Sequence, residues 1–223
     1  MFIKIINFRR ASPRLPRDLS RLFRYLFRPK PDAPDERDRM LGPPELHHLV
    51  LTSSPWGDEV PSAAQELAYQ YLDYCKEATV DRLMPDPWYV HMIFSFASWA
   101  SGDLRTPPDD NLSVPRFASS SGNAIRIAKD ALDFLGWEDA QPSTFVVHAD
   151  REHIHVHAVI AIPIYDGKDW DILRLSRGRL FEAAQICSDA FKLPVDTSYL
   201  RRKYAHWSRV TNGTEEPSLS ESV

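Results

Sequence analysis

The chain has 223 residues, of which 43% are hydrophobic, enough for the core of one domain that carries long insertions. No apolar run approaches the roughly 18 residues of a membrane-spanning helix. Its two cysteines, Cys75 and Cys187, fit neither a disulfide framework nor a CxxC metal site, which favours a reducing cytoplasm. The net charge of −4 conceals a basic pole, because residues 1–30 carry nine basic side chains and one acidic one. Such a pole indicates contact with a polyanion.

The basic pole contains a predicted strand and a predicted amphipathic helix. Residues 2–8 (FIKIINF) are strand-like, which argues against a mitochondrial transit peptide despite the Arg-rich start. In the helix predicted over residues 18–28, apolar side chains recur at helical spacing. The predicted buried face comprises Leu19, Leu22, Phe23 and Leu26, and the opposite face comprises Arg21, Arg24, Tyr25 and Arg28. Tyr25 is thus placed on a positively charged helix, where a tyrosine is ordinarily a packing residue.

The remaining chain alternates predicted elements with irregular segments, and residues 1–210 are expected to form one domain. Helices are predicted at 62–82, 123–136 and 179–191, and strands at 47–52, 88–96 and 170–175. Alternation in the strand at 88–96 places His91, Ile93 and Ser95 on one side. Segments 31–61 and 100–122 are otherwise predicted as loop, with His47 and His48 at the surface. The run 199–209 is basic and aromatic and suits either a nucleic acid or a capping helix, and the acidic tail 211–223 is predicted to be disordered.

The most informative stretch is STFVVHADREHIHVHAVIAIP at 143–163. Its alternation predicts a strand in which His153, His155 and His157 share one face. If Arg151 and Glu152 form the turn of a hairpin, Asp150 pairs with His153, Ala149 with Ile154 and His148 with His155. Directly opposed residues hold their Cβ atoms roughly 4.5–5.5 Å apart. This register therefore brings the imidazoles of His148, His155 and His157 to one place.

Three neutral imidazoles on a rigid hairpin can hold a divalent ion and leave its other coordination positions open, which suits catalysis more than structure. The alternative interpretation is a histidine-rich face that is solvated or hydrogen-bonded. Beside a metal site, Tyr25 gains a chemical role, since a phenol that attacks a phosphodiester must lose its proton. Nearby arginines and a divalent ion both favour the phenolate.

Three segments together resemble the motifs of conjugative relaxases of the mobilisation P type, which belong to the HUH class and are similar to the T-DNA border endonuclease. The segments are FRYLF at 23–27, HMIFSF at 91–96 and HADREHIHVHAV at 148–159. The resemblance implies an α+β fold with a central antiparallel sheet and flanking helices. It also implies a bacterial cytoplasmic enzyme that nicks one DNA strand at an origin of transfer and meets accessory DNA-binding and coupling proteins.

The resemblance also implies roles for individual residues. Tyr25 would be the nucleophile that forms a 5′-phosphotyrosyl link, and His148, His155 and His157 would hold Mg²⁺ or Mn²⁺. Asp150 would orient an imidazole, Ser95 would lie near the cleaved strand, and Arg21, Arg24 and Arg28 would contact DNA. One departure is Ala161, which stands where such relaxases commonly carry Asn, four residues after the last histidine.

Other interpretations stay open at this point. The run 153–159 also fits the HφHφHφφ pattern of histidine-triad nucleotide hydrolases, in which the middle histidine attacks a phosphate without a metal. A tyrosine-dependent replication initiator or transposase would share the nicking chemistry. A DNA-binding accessory protein with a degenerate site is the alternative that is not an enzyme.

Overall fold

The protein has an α+β fold in which one antiparallel sheet lies between two pairs of helices. The computed structural model describes residues 1–6, 16–27, 40, 43–96, 121–137, 141–149, 154–164, 168–170, 177–191 and 193. The strands are β1 (Phe2–Ile6), β2 (Glu45–His47), β3 (Tyr89–Phe96), β4 (Ser143–Ala149) and β5 (Ile154–Ala161). The helices are α1 (Pro16–Phe27), α2 (Val60–Ala78), α3 (Ser121–Phe134) and α4 (Arg177–Ala190). None of the helices in these ranges is long and apolar enough to span a membrane.

The histidine-rich strand β5 occupies the centre of the sheet, whose order is β1-β3-β5-β4-β2. In the β4–β5 hairpin His148 lies opposite His155 and Ala149 opposite Ile154, so the predicted register is confirmed for these pairs. Both faces of β5 are covered by helices, which explains why Ala158 and Val159, on opposite faces of the strand, are both fully buried.

Alternation along the strands divides the sheet into two faces. One face packs on α3 and α4 through the larger core, to which β5 contributes Val156, Ala158 and Ile160. The other face packs on α1 and α2, and β5 contributes Val159 and Ala161 to that core. His155 and His157 belong to this second face because side chains two residues apart in a strand point the same way.

Helix α1 is held against α2 and the sheet by aromatic packing. The rings of Phe23 and Phe27 stack with centroids 5.7 Å apart, and Phe23 lies equally close to Tyr71 of α2. The buried Tyr71 hydroxyl donates to the Val159 carbonyl at 2.6 Å and lies 3.1 Å from the Thr144 hydroxyl. Burial raises the pKa of Tyr71 well above its ordinary value, so its proton stays available for this bond. The inner face of α1 matches the prediction, except that Leu22 is only partly buried.

The strand predicted at 47–52 is wrong: β2 covers Glu45–His47, and the chain leaves the sheet at His48, whose φ is 56°. Beyond this point side chains of α2 satisfy the backbone in place of a neighbouring strand. Gln70 bonds both the N–H and the carbonyl of Val50, and Glu66 accepts from the N–H of Thr52.

His47 is also not the surface residue that was predicted. It is partly buried, contacts Glu45 and Lys129, and packs edge-on against Trp137 and Phe145. Several other predictions lie outside the described residues. These are the loop 100–120, residues 171–175 of the last predicted strand, the run 199–209 and the tail 211–223.

Replacing Phe23 with alanine is expected to lower the free energy of unfolding by about 3–5 kcal/mol, because a fully buried ring between α1 and α2 is lost. Urea unfolding followed by circular dichroism measures the change. Arg24→Ala is the matched control on the same helix, since Arg24 is exposed and its replacement should change stability by no more than about 0.5 kcal/mol. Equal effects of the two substitutions would contradict the proposed packing role of Phe23.

Candidate active site

The last turn of α1 places Tyr25 over the histidine face of the sheet. The ring is 56% exposed, unlike the neighbouring Leu26 and Phe27, which are fully buried. It meets His148 and His157 edge-on, with centroids 6.4 Å from each. The ring centroids of His148 and His157 are themselves 4.7 Å apart. Tyr25 therefore combines an accessible hydroxyl-bearing ring with direct contact to two of the predicted histidines.

His148 links the hairpin to α1 through a hydrogen bond. Its Nε2 donates to the carbonyl oxygen of Leu26 at 2.7 Å. The last carbonyls of a helix have no partner within the helix, and His148 satisfies one of them. Because a carbonyl can only accept, Nε2 carries the proton, and in the neutral ring Nδ1 carries the lone pair. The bond thus sets the tautomer of His148 and holds the turn of α1 that carries Tyr25.

His157 forms its own hydrogen-bonded pair with His91 on the adjacent strand β3. Nδ1 of His157 lies 3.0 Å from Nε2 of His91, and the rings stack at 24° with centroids 5.3 Å apart. Both residues are almost completely buried, at 5% and 6% exposure. Burial places the two imidazoles where a charge is costly but a shared N–H is stabilising.

The same burial keeps both rings neutral. It lowers the pKa of His157 to about 2 and that of His91 to about 4, and the proximity of His148 adds to each shift. Neutral imidazole is the form that binds metals and accepts protons. The inner part of the cluster therefore needs no deprotonation before it can act near neutral pH.

The remaining predicted residues fall into two groups. His155 lies opposite both His148 on β4 and Ser95 on β3, so these three side chains form one row across the histidine face. Its proximity contributes to lowering the pKa of His157. Asp150, His153 and Arg28 lie outside the described residues.

Within the described part of the chain, no three His, Cys, Asp or Glu side chains are grouped closely enough to enclose a metal ion. The donor chemistry nevertheless fits a divalent cation. Metal-ligating histidines commonly donate their second ring N–H to a carbonyl or another acceptor, as His148 does to Leu26. Of the two ions that were predicted, Mn²⁺ is better suited than Mg²⁺ to the imidazole nitrogens of His148, His155 and His157, because Mg²⁺ prefers oxygen ligands.

A basic surface leads to the site along the outer face of α1. Arg17, Arg21 and Tyr25 follow one another at intervals of four residues, and Arg24 lies beside them; all four are exposed. On β1, Lys4 is opposite Ile93, which is opposite His157, so Lys4 lies on the histidine face two strands away. Among the described residues of α1 and β1, the exposed basic side chains therefore lie outside the buried pair of His91 and His157.

The sequence interpretation did not assign His91 to the site. The signal was present, because alternation had already placed His91 and Ser95 on one side of their strand. What the sequence did not give was the neighbour of that strand: β3 pairs with β5, which brings His91 within hydrogen-bonding distance of His157.

No model of a known protein family matches this chain, and neither the curated proteins nor the solved structures compared with it gave a match.

The fold should lose stability as the pH falls from about 6.5 towards 4 in metal-free buffer. An unfolded histidine takes up a proton near pH 6.5, whereas folded His91 does so only near pH 4 and His157 near pH 2. The contribution of these two histidines to the free energy of unfolding is complete above pH 6.5. It declines below that pH, because the unfolded chain then binds more protons than the folded one.

His91→Gln should reduce the slope of the free energy of unfolding against pH by up to about 1.4 kcal/mol per pH unit, which corresponds to one proton. The free energy of unfolding in urea at pH 7, 6 and 5 measures the slope. His48→Asn is the control, since His48 is exposed and its positive φ suits Asn. If His91→Gln and the wild type gave the same slope, the pKa of His91 in the folded chain would not be lowered, and the prediction would be wrong.

Proposed function

We propose that this protein nicks one strand of DNA by transesterification, with Tyr25 as the nucleophile, and that its substrate is the origin of transfer of a mobile element. The single observation that carries the proposal is the position of Tyr25. An exposed tyrosine on an arginine-rich helix lies edge-on against two hydrogen-bonded histidines, the partly buried His148 and the buried His157. A packing tyrosine would bury its ring, whereas this one presents it to solvent beside groups that accept protons.

In the proposed reaction the Tyr25 oxygen attacks the scissile phosphorus. The new bond joins the tyrosine oxygen to the 5′ phosphate, the bond from phosphorus to the 3′ oxygen breaks, and the 3′ oxygen leaves as a hydroxyl after taking up a proton. The phenolic proton passes to a base or to water. Because the phosphodiester is conserved as a phosphotyrosine, a later attack by a 3′ hydroxyl can reverse the step and rejoin the strand.

His148, His155 and His157 are proposed to hold the Mg²⁺ or Mn²⁺. When bound there, the ion would supply Lewis-acid stabilisation of charge on the phosphate oxygens. The hairpin holds these rings in fixed positions, and the bond from His148 to Leu26 fixes the turn that carries the nucleophile. Asp150 is proposed to orient an imidazole, and Ser95 to contact the strand beside the cleaved phosphate.

The side chains that make up the cluster support an HUH-type endonuclease over the histidine-triad alternative. That alternative uses the histidines of the run 153–159 alone. Here His148 from β4 and Tyr25 from α1 share the cluster with His157, and a metal-free nucleotide hydrolase would need neither.

Tyr25→Phe is expected to abolish nicking and covalent attachment while leaving the fold intact, because the ring is retained and only an exposed hydroxyl is lost. The assay uses a supercoiled plasmid that bears an origin of transfer, with Mg²⁺ or Mn²⁺, and detects protein bound to the 5′ end. Tyr69→Phe is the matched control, since Tyr69 is 50% exposed on α2.

Nicking that persists in Tyr25→Phe would refute the assignment of the nucleophile. A wild-type protein that binds the plasmid without cleaving it would favour an accessory DNA-binding protein. Hydrolysis of a nucleotide with no effect on the plasmid would favour a histidine-triad enzyme.

Arg21 and Arg24 are proposed to contact the phosphates that lead to Tyr25, together with Arg28. Arg21→Gln and Arg24→Gln should each weaken binding to single-stranded DNA and lower the slope of log affinity against log salt by about 0.7. Fluorescence anisotropy with a labelled oligonucleotide at several salt concentrations measures both effects. Arg126→Gln on the exposed side of α3 is the control with the same loss of charge. An unchanged slope in both α1 variants would remove this helix from the DNA contact.

A further inference from the structure

We infer that His91 is a positioning residue that holds His157 in the tautomer with its proton on Nδ1 and its lone pair on Nε2. The inference deepens the proposed function, on which its metal-binding consequence rests. The observation is the 3.0 Å contact between His157 Nδ1 and His91 Nε2 inside the sheet.

Two neutral imidazoles that meet nitrogen to nitrogen share one proton between them, so one ring donates and the other accepts. If His91 donated, His157 would carry its proton on Nε2 and neither of its nitrogens could bind a metal or accept a proton. If His157 donates, its Nε2 becomes a ligand or a base. The contact therefore decides whether the most buried histidine of the cluster can act.

The surroundings support the second arrangement. His148 already shows this arrangement. Its Nε2–H donates to the carbonyl of Leu26, outside the cluster, and its other ring nitrogen carries the lone pair. His91 and His157 come from adjacent strands whose backbone pairing fixes their separation, with Ile93 directly opposite His157. The orientation of the pair thus depends on the sheet and not on a mobile loop.

The pair also gives a reason for a histidine at position 91. An apolar residue there would fill the space on the covered face of the sheet, but it would leave Nδ1 of His157 without its acceptor at a place where water is largely excluded. A carboxylate would accept the bond but would bring a buried charge. A neutral imidazole accepts the bond without that charge.

The test is the tautomer of His157 in metal-free protein, read from the ¹⁵N chemical shifts of its ring in long-range ¹H–¹⁵N spectra. We expect a protonated Nδ1 and an unprotonated Nε2 in the wild type. Protonation on Nε2 in the wild type would overturn the inference without any variant. His91→Leu should remove the preference for Nδ1–H, and His91→Gln, whose amide oxygen can accept the same bond, should restore it.

Titration with Mn²⁺ followed by electron paramagnetic resonance provides the second readout. We expect affinity to fall about 10–100-fold in His91→Leu and to recover in His91→Gln. His48→Asn is the control and should bind as the wild type does. Equal affinity in His91→Leu and the wild type would overturn the positioning role.

The two proposals fail separately. Absence of nicking and of Mn²⁺ binding in the wild type would refute the proposed function while the tautomer measurement still decides the role of His91. Nicking that depends on Tyr25, combined with a proton on Nε2 of His157, would refute the role of His91 alone.

Discussion

The attachment of α1 to the sheet is the constraint on which the candidate site depends. Two kinds of interaction produce it. Phe23 packs between Phe27 and Tyr71, which fixes the axis and rotation of the helix, and His148 bonds the carbonyl of Leu26, which fixes its last turn. Because Tyr25 precedes Leu26, the rotation that buries the apolar stripe also turns Tyr25 towards the histidine face. The packing of α1 on the sheet thus also positions Tyr25.

The side chains of the candidate site differ in how deeply they are buried. His91 and His157 lie inside the sheet–helix layer and are held neutral, whereas the Tyr25 ring and the arginines of α1 remain exposed. This order suits the proposed function, which combines two tasks that need opposite surroundings. Binding a polyanion needs accessible positive charge, and a metal ligand or proton acceptor needs a ring without charge. One helix presents both the arginines and Tyr25, and the sheet beneath it supplies the neutral rings.

Much of this arrangement follows from local sequence patterns. The alternation from Ile154 onwards showed which side chains share a face, and the assumption of a two-residue turn at Arg151 and Glu152 then gave the pairing of His148 with His155 that the sheet has. The spacing of Leu19, Phe23 and Leu26 was sufficient to orient α1. The neighbours of β5 were not predictable in this way, since β3 and β5 are separated by a long insert and a helix, and nothing local specifies that they pair. The bond between His91 and His157 depends on that pairing and was therefore missed. The strand predicted at 47–52 failed for a different reason, because side chains of α2 replace the expected strand partner.

Ala161 bears on the proposed function, because relaxases of the mobilisation P type commonly carry Asn at this position. The residue lies on the histidine face, as its spacing from His157 predicts, but four residues along a strand correspond to about 13 Å. At that distance its surroundings are the apolar core shared with Tyr89 and Val159, and its carbonyl accepts a hydrogen bond from Gln141. An amide side chain at this position would be buried among apolar groups and would need partners of its own. Alanine suits the packing here, and its presence removes no group from the contacts that Tyr25 makes with His148 and His157.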